Sequence, residues 1–175
     1  TEAADRSGAP DRGVRGRLLV RRVRHAWQMR FLFRLFLLLL VVGLIIQVVP
    51  YGRDHENPKT VQEIEWNTPE TRALASNACM DCHSNLTAWP WYTSIAPISW
   101  LTTRDVEEGR AELNFSEWQL PQEADLEEVV EVIREQEMPP LQYRAIHSEA
   151  RLTDAERQQL ERGLVASWAK DPPGR

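Results

Sequence analysis

Cysteine is scarce in this chain: two among 175 residues, Cys79 and Cys82. A zinc centre needs four protein ligands. Beyond the two thiols and the adjacent His83, the sequence offers only His55 and His147 as plausible extras. A dithiol redox site belongs in a strand-helix-strand setting, which the pattern lacks. A lone disulfide would leave His83 without a role. Methionine is nearly as sparse, and past residue 51 only Met80 and Met138 remain. Charge is almost missing from Phe31 to Tyr51, where Arg34 stands alone. No small-x-small cleavage site follows that apolar stretch, which runs on as Gln47-Val48-Val49-Pro50-Tyr51. A cleaved signal peptide ends on such a site, so the stretch reads as a retained anchor.

What is present centres on Cys79-Met80-Asp81-Cys82-His83. This is the C-x-x-C-H spacing of c-type haem attachment. On a helical turn the three residues lie three and four apart and share one face. Each thiol can then add to one vinyl group of the porphyrin, and the His83 imidazole reaches the iron from one side. The expected cofactor is one haem c, covalently attached through Cys79 and Cys82.

The charge is split along the chain. Residues 1 to 34 hold nine arginines against three acids, whereas residues 35 to 175 hold twelve Lys or Arg against 23 acids. Phe31 to Tyr51 comprises 21 residues, about 31 Å as a helix and enough to span a bilayer. Arg34 lies near its start, where the stem can snorkel, and Trp27 and Tyr51 bracket it as interfacial anchors. The arginine excess places the amino terminus on the cytoplasmic side of the cytoplasmic membrane. A single pass then puts the haem domain on the periplasmic, extracytoplasmic side. The basic head is read as facing anionic membrane lipid rather than nucleic acid, with residues 1 to 17 disordered by composition. The expected organisation is a basic segment over 1–30, a transmembrane helix over 31–51, a linker over 52–66 and a mono-haem domain over 67–171.

Within that domain the fold class is all-α, a small cytochrome c-like helical domain. Thr68-Pro69-Glu70 is a helix start running into Cys79. Ser84 to Trp100 reads as an aromatic loop, with Trp89, Trp91, Tyr92 and Trp100 packed around the porphyrin. A helix begins at Pro97, with Gly109 near its end. Arg104 and Arg110 are candidate partners of a haem propionate. The next helix, about Glu123 to Glu135, carries Leu126, Val129, Val130 and Ile133 on one face and acids on the other. That acidic face could dock a basic redox partner. Glu137-Met138-Pro139-Pro140 stops the helix in a stiff loop. Met138 is the expected sixth ligand, since Met80 sits within the attachment turn; His147 is the rival. Thr153-Asp154-Ala155-Glu156 is a capping box, opening a last helix with Leu160, Leu164, Val165 and Trp168 on one face.

From about Val61 to Ala169 the chain resembles the bacterial haem-binding domain family of single-haem c-type domains. The matching residues are Cys79 to Asn85, Trp89-Pro90-Trp91-Tyr92, Ile95 to Trp100, Asp105 to Arg110, Asn114 to Trp118 and Met138-Pro139-Pro140. The resemblance implies a helical domain with His83 and Met138 on the iron. A His before an acidic-Ala-x-Leu stretch also belongs to the family pattern, which keeps His147 in contention. The resulting expectation is an electron carrier rather than an enzyme, working with redox partner proteins or within a multi-subunit respiratory or photosynthetic complex. The alternative is a five-coordinate haem enzyme or a gas or redox sensor.

Overall fold

A computed structural model describes residues 12 to 174, with side chains in the first helix described at His25 and from Trp27 onward. The described residues are all-helical, with six α-helices, two short 3-10 turns and no strand. The chain divides after Val49 into two units.

The first unit is one helix, α1, over Arg12–Ile46. Within it Trp27–Ile46 is a 20-residue apolar segment, about 30 Å long and sufficient to cross a bilayer. The expected span is 31–51, and the helix itself ends at Ile46. Proline lacks an N–H and disfavours helical backbone in the residue before it, so the helix stops short of Pro50. The amides of Gln47, Val48 and Val49 instead bond to the carbonyls of Leu44, Ile45 and Ile46, three residues back. At the other end the helix reaches back to Arg12, because Arg and Leu are strong helix formers. The expected disorder over 1–17 therefore does not hold from Arg12 onward, and residues 1 to 11 lie outside the described residues.

The second unit carries α2 (Pro69–Ala78), α3 (Ile98–Glu112), α4 (Leu126–Arg134), α5 (Leu141–Ile146) and α6 (Asp154–Lys170). Local hydrogen bonding explains the starts of α2, α4 and α6. Thr68 Oγ1 accepts from the Thr71 amide, with Pro69 opening α2. Asp125 accepts from the Glu128 amide, so α4 begins later than its acidic run suggests. At α6, Thr153 and Glu156 form the full capping box.

Helix α6 packs against α2 and α4 and buries Leu160 and Leu164 completely. Each such leucine is worth about 1.5–3 kcal/mol of transfer free energy. Val165 does not share that face; it is 45% exposed. Trp168 meets Trp118 edge-on at 4.7 Å, and Trp118 stacks on Phe115 at 5.9 Å. The Asn114–Trp118 turn thus carries two of the largest core side chains.

The expected 52–66 linker is in part domain core. Ile64 is 2% exposed, and its amide bonds to Phe115 O at 3.2 Å. The Val61 amide bonds to Ser116 O, and the Trp118 amide to Gln62 O. Burying Ile64 and half-burying Trp66 outweighs the freedom the polar neighbours would otherwise keep.

Candidate functional site

Helix α2 runs directly into the Cys79–His83 turn. The amides of Cys79 and Met80 both bond to Ala75 O, at 2.8 and 3.0 Å, and those of Cys82 and His83 both bond to Cys79 O, at 3.1 and 2.9 Å. The turn places Cys79, Cys82 and His83 on the wall of one cleft of about 610 Å³. Met80 belongs to the hydrophobic core instead and is 3% exposed.

Helix α3 lies against this turn at Gly109. A Cβ built there would sit 2.7 Å from Cys82 O and 3.0 Å from Cys82 Cβ, so only glycine lets the two backbones approach so closely. The approach brings Gly109 O within 2.8 Å of His83 Nδ1, with Leu113 O at 3.2 Å. Carbonyls only accept, so Nδ1 carries the proton and Nε2 keeps its lone pair. Burial lowers the His83 pKa, against the pull of these two carbonyls. A neutral ring with Nδ1–H fixed on backbone is the ligating form of histidine.

Both thiols are unbridged. Burial pushes Cys79 up to about 12, helped by Cys82, and Cys82 up to about 11, helped by Asp105 and Asp81. Burial thus favours the protonated thiol at both positions.

Met138 lines the same cleft. A Schellman turn delivers it. The Gln136 amide bonds to Ile133 O and the Glu137 amide to Val132 O, while Gln136 takes the left-handed conformation at φ 64°. The Met138 amide also bonds to Val132 O, at 3.1 Å. Leu113, Phe115, Val129, Ile133 and Leu164 supply apolar wall. Asp81, Asp105, Glu108, Glu112 and Glu128 supply carboxylates, and among the described residues no Lys or Arg lines the cleft. Burial raises the Asp105 pKa.

Residues 41–169 match the model of a family described as the haem-binding domain. That match covers more than half of the chain. The chain belongs to the haem-binding domain family. Neither a curated protein nor a solved structure matches it. Haem binding fits the cleft: its size suits a cofactor, its walls are largely apolar, and it carries a neutral histidine with a free Nε2. The residues that would hold the haem are Cys79, Cys82, His83 and Met138.

The expected aromatic wrap lies elsewhere. None of Trp89, Trp91, Tyr92 and Trp100 lines the cleft. Trp89 stacks on His55 at 4.6 Å and donates from Nε1 to Asn57 Oδ1. Trp91 is 78% exposed. Trp100 is half-buried in α3. Tyr92 Oη lies 3.1 Å from His147 Nε2.

That contact bears on the rival ligand. His147 Nδ1 donates to Tyr143 O at 3.1 Å, leaving Nε2 to accept from the Tyr92 hydroxyl. The ring stacks on Tyr143 at 3.9 Å. Both nitrogens are engaged and His147 does not line the cleft, whereas Met138 does. His55 is likewise occupied, by Thr93. The two histidines that could complete a zinc centre are thus each hydrogen-bonded to other groups.

Neither propionate candidate lines the cleft. Arg104 pairs with Glu108 on the surface. Arg110 donates to Ser84 O at 2.8 Å, Glu56 O, Asn57 Oδ1 and Thr87 Oγ1. It clips the residues after the attachment turn to the incoming chain.

Three contributors carried weaker signals. Tyr143, on the unanticipated helix α5, lines the cleft and donates to Asp81 Oδ2 at 2.6 Å. Asn85 and Asn114 are buried and bonded to each other at 3.0 Å, tying the turn to the Phe115 segment. Their place in the matching family motifs was the available clue.

Proposed function

We propose that the protein is a membrane-anchored, mono-haem c-type cytochrome passing single electrons on the extracytoplasmic side, either as a tethered carrier or as a subunit of a larger respiratory or photosynthetic complex. The observation that carries the reading is that two residues able to ligate iron line one cleft: His83 with Nε2 free, and Met138. Two protein ligands leave no open position for substrate, which favours transfer over enzymatic chemistry. Each thiol would add its S–H across one vinyl double bond, giving a thioether with no change in the iron. The haem supplies the one-electron couple. The chain's residues hold it, exclude water from it and set its electrostatics.

The apolar segment of α1 and the flanking arginines support an anchor with its amino terminus in the cytoplasm. The acidic residues about the cleft support a basic redox partner.

The test has two parts. Denatured protein should keep haem peroxidase staining on a gel, and Cys79→Ser with Cys82→Ser should abolish it. The wild type should bind carbon monoxide slowly or not at all, whereas Met138→Ala should bind it readily and fall in reduction potential. Rapid carbon monoxide binding by the wild type would instead establish the five-coordinate enzyme or sensor.

A further inference from the structure

A second cavity of about 350 Å³ adjoins the haem cleft, sharing Ala78, Cys79, Ile133 and Met138 with it. Its charge is reversed. Among the described residues, the haem cleft is lined by five carboxylates and no Lys or Arg. The annex is lined by Arg144, Arg151 and Arg157 and, among the same residues, by no carboxylate.

The three guanidiniums are not equally occupied. Arg157 is ion-paired with Asp154. Arg151 is exposed. Arg144 spends Nη2 on Gln136 O at 3.1 Å, but its Nε is buried without any hydrogen-bond partner. A buried donor on a cation is costly to leave unmet. A guanidinium fork matches the planar, bidentate geometry of a carboxylate.

We propose that the annex is a carboxylate-binding site, with Arg144 as its principal contact and Arg151 at its mouth. The ligand has two possible sources of one chemistry. One is a propionate of the haem itself, whose carboxylates meet only like charge along the main cleft while Arg104 and Arg110 are engaged elsewhere. The other is a free small carboxylate. The proposal rests on haem binding only for the first source.

The experiment uses the full-length holoprotein, wild type and Arg144→Gln, with acetate as the probe against chloride at equal ionic strength. If a propionate fills the site, the propionate bands in the resonance Raman spectrum shift in Arg144→Gln and acetate leaves the wild type unchanged. If a free carboxylate is taken, acetate raises the wild-type melting temperature saturably, and Arg144→Gln weakens that binding by about tenfold or more. Unchanged Raman bands together with no acetate effect, or an equal acetate effect on both proteins, overturn the site. Should Arg144→Gln fail to accumulate, Arg151→Gln carries the same readouts, with the same shifts at reduced size expected and their absence overturning the site. None of these outcomes depends on electron transfer, so they separate from the failure of the carrier reading.

Discussion

Gly109→Ala tests the contact that orients His83. The helical backbone itself favours alanine by about 1 kcal/mol. The new methyl, however, would sit 2.7 Å from Cys82 O and 3.0 Å from Cys82 Cβ. Neither atom can swing aside, because the Cys82 amide is bonded to Cys79 O and the next amide to the same carbonyl. Helix α3 must therefore retreat by several tenths of an ångström. Overpacking of this kind costs about 1–3 kcal/mol, so the clash outweighs the propensity gain and leaves a net loss of up to about 2 kcal/mol. The retreat also lengthens the 2.8 Å bond from His83 Nδ1 to Gly109 O, handing the proton to Leu113 O at 3.2 Å. Urea denaturation of the holoprotein should show a lower midpoint. The histidine-iron stretching band of the reduced protein, read after Met138→Ala, should move. A variant more stable than wild type by the full alanine gain, with that band unmoved, would refute the close approach.

Three further outcomes follow from the same geometry. Gln136→Gly should raise stability by up to about 1 kcal/mol, because residue 136 holds φ 64° and glycine pays no left-handed penalty; chemical denaturation reads this. Tyr143→Phe should cost about 1.5–3 kcal/mol by removing the 2.6 Å bond to Asp81, and it should quicken carbon monoxide binding by loosening the wall that follows Met138. Glu156 is held below the usual carboxylate range by bonds from the Thr153 amide and hydroxyl. Its contribution is thus complete above the unfolded glutamate value of about 4.3 and is lost as pH falls through the lower folded value; Glu156→Gln should flatten the acid limb of stability against pH.

Legibility in the sequence followed range. Thr68-Pro69 and Thr153-x-x-Glu156 are hydrogen-bonding devices complete within four residues, and they start helices where expected. The C-x-x-C-H spacing is equally local, and the structure brings its three side chains to one cleft. Failures came where the partner lies far along the chain. An aromatic run announces large side chains but not their destinations: Trp89 goes to His55, and Tyr92 to His147. The close approach at Gly109 depends on Cys82, a residue from another element. Helix α5 has six residues, under two turns, so no period could betray it. Ile64 was hidden by its polar neighbours, although Ile64-x-Trp66 on one face of an extended segment was the signal present.

The two expected ligand sides are held very unequally, and this bears on how the site responds to change. On the His83 side, α3 presses on the turn through Gly109, two carbonyls face Nδ1, the Phe115 amide bonds to His83 O at 2.9 Å, and Arg110 grips Ser84 O. Displacing that ligand means breaking several buried contacts together, which act as a unit. On the Met138 side, the residue is 40% exposed. It hangs from one left-handed turn on Val132 O, and α5 beyond it is clipped to the attachment turn by the Tyr143–Asp81 bond. Local opening draws on segments with few buried contacts. Under the proposed ligation, an exchange of ligand forced by denaturant or by carbon monoxide should therefore begin with Met138 leaving while His83 stays. The hydrogen bond from Tyr143 to Asp81 should then set how readily it leaves.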